Sequence, residues 1–169
     1  MLERAIRRAR IGGASAPGPT GGSLPGTVFY DAIYLACQDR LAQEAGRKAL
    51  VILTDAQDTG SRMRVQDAIE AAQRTDTVVH VLLISNGFVN EGAARKLSDE
   101  TGGRTIEVRS EKNLEQAFDQ ISEELRSQYS LGYYSTNSTH DGGFRKLKVE
   151  STHKDVDVLS RRGYYSPKN

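Results

Sequence analysis

Two uninterrupted apolar runs set the terms for this fold. They are Ala49-Leu50-Val51-Ile52-Leu53-Thr54 and residues 77–84, the second rich in valine and carrying His80. Runs of this length without polar alternation suit strands covered on both faces, which is the habit of parallel sheets. Around them the apolar residues recur at helical spacing. Tyr30, Ile33, Tyr34, Cys37 and Leu41 mark one helix that ends near Gly46. Val65, Ala68, Ile69 and Ala72 mark a second, with Ser61 as its candidate cap. Ala93, Ala94 and Leu97 mark a third that stops at Gly102-Gly103, and residues 104–108 follow as a short strand. Leu114, Phe118, Ile121 and Leu125 mark a longer helix behind a Ser110 cap. Helix and strand therefore alternate, which predicts a Rossmann-like α/β fold: a mainly parallel sheet with helices on both faces.

The two ends of the chain read differently. Residues 129–135, 144–151 and 155–160 read as strands, with Asn137 to Gly143 as a turn. Leu147 with Val149, and Val156 with Val158, have the period of a sheet covered on one face. These segments predict a C-terminal antiparallel β extension over residues 129–169, packed on the same domain. At the other end, Leu2, Ala5, Ile6 and Ala9 oppose Arg4, Arg7, Arg8 and Arg10 on a short basic amphipathic helix. A Gly-, Ser-, Ala- and Pro-rich linker follows, so residues 1–25 form a separate leader to an α/β body at 26–128.

Composition narrows the partners. With 23 Lys plus Arg against 22 Asp plus Glu, no large field attracts nucleic acid or an anionic membrane. Residues 78–84 are too few to span a bilayer, and no apolar stretch follows the basic start as a secretory signal would require. The single cysteine, Cys37, excludes an intramolecular disulfide and a cysteine-rich zinc site; on the apolar face of its helix it reads as a small buried hydrophobe. His80, His140 and His153 show no zinc spacing. There is no Gly-x-Ser-x-Gly elbow and no phosphate-binding glycine loop followed by Lys-Ser/Thr, and Gly12-Gly13 and Gly21-Gly22 lack a preceding strand. Tyr129, Tyr133, Tyr134, Tyr164 and Tyr165 with Arg145, Arg161 and Arg162 read as cross-strand pairs in the tail rather than a stacking surface for nucleic acid. No catalytic residue emerges.

In a parallel sheet, ligands bind beyond the carboxyl ends of the strands. The one place there that is rich in suitable groups follows the first apolar run: Thr54, Asp55, Asp58, Thr59 and Ser61. Oxygen donors of this kind suit Mg²⁺, Mn²⁺ or Ca²⁺. By composition the same residues serve equally as helix caps and loop-formers.

Several segments resemble the von Willebrand factor type A domain of bacterial proteins. Pro25-Gly26-Thr27-Val28-Phe29-Tyr30-Asp31-Ala32-Ile33 is similar to the family's Gly-Gly-Thr-x-x-Tyr-Asp-Ala segment. Lys48-Ala49-Leu50-Val51-Ile52-Leu53-Thr54-Asp55-Ala56-Gln57-Asp58 is similar to its strand ending in Thr-Asp-Gly-x-Asp. Glu100-Thr101-Gly102-Gly103-Arg104 resembles its Thr-Gly-Gly before a short strand, and the tail resembles an exported bacterial subgroup. The resemblance implies a protein-binding module, not an enzyme, with an exported, periplasmic or cell-surface setting. It makes Thr27 and Asp55 the candidate ligands of a metal ion-dependent adhesion site, and Asp58 and Ser61 the residues that organise the loop behind them.

The departures from the family matter. The Asp-x-Ser-x-Ser segment is absent, Ala56 stands for the usual Gly, and Pro25 for the first Gly of the threonine loop. We therefore expect an amino-terminally incomplete copy with weak or no Mg²⁺ or Mn²⁺ binding. A partner's acidic side chain completes the metal shell in the intact family site; a metal-free interaction domain and a small α/β enzyme are the rival readings. In the family topology the strand at residues 49–54 pairs with a first strand that this chain lacks. The resemblance thus implies an exposed edge from Ala49 to Thr54, prone to self-association.

Overall fold

The computed structural model describes residues 27–84 and 89–168. The basic helix and linker expected over residues 1–25 lie outside them. Helix α1 (Phe29–Leu35) continues through a wider turn (Ala36–Arg40) and a tighter one (Leu41–Gln43), and Gly46 then reverses the chain at φ +85°. Strand β1 (Lys48–Thr54), α2 (Val65–Arg74), β2 (Thr77–Ile84), α3 (Glu91–Thr101), β3 (Thr105–Val108) and α4 (Glu111–Arg126) follow in strict alternation. The three strands are parallel, in the order β1-β2-β3, with Val51 beside His80 and Leu82 beside Ile106.

Helices cover both faces, as the alternation requires, but unequally. Phe29 and Ile33 of α1, Cys37 of the wider turn, Ala68 and Ala72 of α2, and Leu97 of α3 close over Val79, Val81 and Leu83 on one face. On the other, α4 alone packs Ala117 and Ile121 on Leu82 and Val108. Cys37 is fully buried in the larger cluster, as its helical position implied. The α4 helix packs mainly on β2 and β3, and Val51 and Leu53 on that face of β1 stay 36% and 40% exposed.

Local chemistry explains the element ends. Ser110 caps α4, accepting the Asn113 N–H at 3.2 Å. Ser61 does not cap α2. That helix starts at Arg64, whose N–H donates to the Asp67 carboxylate at 2.7 Å. The Thr101-Gly102-Gly103 motif joins three parts of the molecule. Thr101 Oγ1 accepts the Val79 N–H at 3.1 Å and donates to the Leu97 carbonyl at 2.9 Å. Gly102 ends α3 in the left-handed region, at φ +83°. At Gly103 a Cβ would lie 2.0 Å from the Val79 carbonyl oxygen, so only glycine lets the chain cross β2 on its way to β3.

The tail departs in detail from its expected form. An antiparallel pair is present, but it is a separate two-stranded sheet of β4 (Phe144–Lys146) and β5 (Gly163–Tyr165). Residues 129–135 and 155–160 carry no strand. The pairing follows the aromatics: Phe144 lies opposite Tyr165 with ring centroids 5.1 Å apart, and the Arg74 guanidinium of α2 sits 4.0 Å over the Tyr165 ring. Residues 129–135 are exposed throughout, so water can satisfy their backbone without a partner strand. The tail is also tied to the body by an Arg161–Asp76 ion pair and by the Arg162 N–H on the Glu100 carbonyl at 3.2 Å.

Candidate functional site

The loop from Asp55 to Arg64 leaves the carboxyl end of β1 and folds against the N-terminus of α1. A helix start presents backbone N–H groups with no partner inside the helix. The residue before α1 is Val28, which has no side-chain acceptor, and the loop supplies one from a distance. Asp58 Oδ1 accepts the Phe29 N–H at 2.9 Å and lies 3.5 Å from the Tyr30 nitrogen. Ser61 Oγ accepts the Tyr30 and Asp31 N–H groups, each at 3.1 Å, and donates its own proton to Asp58 Oδ1. The helix answers in kind: Asp31 Oδ1 accepts the Arg62 N–H at 3.0 Å and the Met63 N–H at 2.8 Å. Two adjacent segments thus cap one another in a reciprocal clamp.

Thr27 and Asp55 flank this clamp. The Thr27 N–H donates to Thr59 Oγ1 at 3.0 Å, and the Thr59 N–H donates to the Thr27 carbonyl at 3.1 Å. Thr27 is therefore held on the loop that follows β1. Asp55 begins that loop and is exposed; its Oδ1 accepts the Gln57 N–H at 3.0 Å in a local turn. The Asp55 carbonyl accepts the Asn90 N–H at 3.1 Å, and Asn90 caps α3 through the Ala93 N–H. Between them Ala56 is buried with φ +57°, the region where a Cβ is strained. Gln57, Asp58, Thr59, Val89 and Asn90 line a shallow cleft of about 330 Å³ above this layer.

A hard divalent cation needs six or more oxygen ligands in a shell. Here the oxygens of Asp58, Ser61, Thr59 and Asp31 are aimed at backbone N–H groups. Among the described residues no group of three or more His, Cys, Asp or Glu is placed to hold a metal. These four side chains are thus engaged in organising the loop and the start of α1. Asp31 was the residue that its loop-facing role hid from sequence reasoning. Its place in the first turn of a helix was a usable signal, since a carboxylate there complements the helix dipole.

The other chemistry-bearing group is His80, 2% exposed on the face of β2 covered by α4. It faces the ion pair of Arg104 and Glu124, whose Nε and Oε1 are 2.8 Å apart, and neither ring nitrogen has a hydrogen-bond partner among the described residues. Burial pushes its pKa below the ordinary value and Arg104 adds to this, while Glu124 opposes. His140 and His153 are exposed in the tail. Among the described residues no helix is long and apolar enough to cross a membrane.

No family model matches the chain, and no curated protein matches it. Among solved structures it is similar to a conserved hypothetical protein BatB from Bacteroides thetaiotaomicron, at 22% identity and a TM-score of 0.49 over 63% of each chain. It is also similar to an uncharacterized membrane spanning protein from Vibrio fischeri, at 16% identity and a TM-score of 0.44 over 47% of this chain and 48% of that one. The chain spans less than two thirds of either neighbour. Its own fold defines the class: an α/β chain with, among the described residues, a three-stranded parallel sheet, helices on both faces and a separate antiparallel pair.

Proposed function

We propose that this chain is a protein-binding module of the von Willebrand factor A class that works without an enclosed metal ion and is not an enzyme. One observation carries the metal-free part: the Asp58 and Ser61 oxygens in the loop after β1 are directed at the N-terminus of α1. The three resembling segments support the class by where they fall. They meet the α1 entry, the β1-to-loop junction and the α3-to-β3 crossing, in chain order. The Ser61–Asp58 hydroxyl–carboxylate pair of this loop is engaged with backbone N–H groups at the start of α1, a use of the pair that favours a binding over a catalytic role.

Thermal melting with and without Mg²⁺ or Mn²⁺ tests the reading. A bound cation raises stability only once its concentration exceeds the dissociation constant. The expected result is little change in Tm at millimolar cation, in the wild type and in Asp55→Ala alike. A large rise that Asp55→Ala abolishes would restore a Thr27–Asp55 cation site and overturn the proposal.

A further inference from the structure

His80 is a buried titratable group that the loop site does not use. It is 2% exposed on β2, and neither ring nitrogen has a hydrogen-bond partner among the described residues. The charged groups facing it are Glu124 of α4 and Arg104, which leads into β3. On its other side β1 sets Val51 beside it. The residues of β3 and α4 that form the core on this face, Ile106, Val108, Ala117, Phe118 and Ile121, carry no charge. Glu124 is only half engaged. Its Oε1 lies 2.8 Å from Arg104 Nε, while Oε2 is buried with no hydrogen-bond partner among the described residues. One carboxylate thus stands between a fixed cation and a ring that can become a second.

A neutral imidazole is tolerated in this place. An imidazolium would bury a charge whose N–H groups have no acceptor in position, beside the Arg104 cation, and such burial is costly. Two movements relieve it. Glu124 can turn to the ring, which weakens its hold on Arg104, or α4 can lift and admit water. Both loosen α4, because the Arg104–Glu124 pair ties its last turns to the start of β3. The helix otherwise rests on Leu82 and Val108 through Ala117 and Ile121, the smaller of the two core clusters, whereas α1, α2 and α3 share the larger. Elements with less buried apolar surface open first. We propose that His80 is a proton-operated release for α4: when the ring takes up a proton, α4 lifts from β2 and β3 while the opposite face of the sheet stays closed. The release does not depend on the binding-module reading of the loop.

The sign is fixed by the two states. With α4 lifted, His80 meets water and titrates near its ordinary value of 6.5; with α4 seated, burial holds the ring neutral to lower pH. Closure is therefore fully favoured above 6.5 and weakens as pH falls below it, by at most about tenfold per pH unit, the limit for one proton. Amide hydrogen exchange across a pH series spanning 6.5, corrected for the intrinsic rate, tests this. Protection over Glu111–Arg126 should fall with pH towards that limit, while Val65–Arg74 keeps its protection. In His80→Leu the fall over Glu111–Arg126 should vanish. Glu124→Gln leaves His80 in place and removes the ion pair, so α4 should exchange faster at every pH and keep its dependence on pH. Protection that is flat in the wild type would overturn the proposal, as would an equal loss in both helices. So would a pH dependence that survives in His80→Leu, or one that disappears in Glu124→Gln, which would assign the proton to Glu124.

Discussion

Strands β1 and β2 lie side by side over seven paired positions, and each is a continuous apolar run. Val79, Val81, Leu82 and Leu83 of β2 are fully buried, whereas Val51 and Leu53 of β1 are more than a third exposed. Both strands have Leu or Val at matched positions: Leu53 is the register partner of Leu82. What separates them is the neighbourhood. Among the described residues, the β2 strand has a strand on each side and helices above and below, while β1 has a strand on one side and helices on one face. An apolar run therefore states that a strand expects cover on both faces; it does not state which residues provide it.

The sharpest way to break this comparison is the same truncation at the two partners. Leu82→Ala removes side-chain atoms from a closed core, and we expect a cost of about 3 kcal/mol in urea unfolding. Leu53→Ala removes atoms already in contact with water, and we expect less than about 1 kcal/mol. Similar costs at both positions would mean that β1 is covered in solution. Repeating the pair across a concentration series would then say whether that cover depends on association.

The next effect lies in the loop that β1 feeds. Asp58→Ala strips the acceptor from the start of α1 and leaves Ser61 without its partner, and we expect a loss of about 2 kcal/mol. Asp55→Ala removes one local turn contact on an exposed residue, and we expect well under 1 kcal/mol. The ranking is the informative result. If Asp55→Ala cost as much as Asp58→Ala, Asp55 would hold something that its Gln57 contact does not account for.

These two carboxylates also mark where sequence reasoning stopped. The elements were legible because periodicity is local: β2 falls on residues 77–84, and Ser110 and Gly102 bound their helices as expected. The loop was legible as a cluster of oxygens, and not as a cap. Asp58 and Ser61 act on amides about 30 residues earlier in the chain, and nothing in their spacing reveals which helix end they meet. Ser61 looked like the cap of the helix that follows it, whereas it serves the one before. The tail strands were misplaced for a related reason. Alternation marks residues 155–160 as strand-like, but aromatic pairing across the turn and the Arg74 contact select residues 163–165 instead.

A smaller effect separates the strands by pH. His80 sits on β2 facing Arg104 and Glu124, with Val51 as its register partner on β1. Its folded pKa lies below the ordinary value of 6.5, so the folded state favours the neutral ring. The stability this gives is fully present above that value. It is lost as pH falls from 6.5 towards the lowered folded pKa, because the unfolded chain takes up the proton first. We expect urea midpoints to fall over that window in the wild type and to flatten in His80→Leu, which also removes two buried nitrogens that have no hydrogen-bond partner among the described residues. An unchanged slope in His80→Leu would assign the pH dependence to other groups.

The smallest effect is expected where β1 turns into its loop, at Ala56. This residue is as buried as the centre of β2 but holds φ +57°. Ala56→Gly relieves a left-handed strain of about 1–2 kcal/mol. Against this, glycine has more freedom to lose on folding, about 0.4–1 kcal/mol. The buried methyl is also lost, at about 0.8 kcal/mol. These terms nearly cancel, so the change should stay within about 0.5 kcal/mol of zero. Ala72→Gly provides the control, because Ala72 is equally buried but lies inside α2. There the helix penalty of about 1 kcal/mol adds to the lost methyl, and the cost should approach about 2 kcal/mol. If Ala56→Gly were as costly as Ala72→Gly, packing would outweigh strain at the end of β1, and that end would behave like β2. Clear stabilisation would mean the reverse: strain dominates there, held in place by the Asn90 bond to the Asp55 carbonyl and the Thr54 hydroxyl that accepts the Ala56 N–H at 3.0 Å.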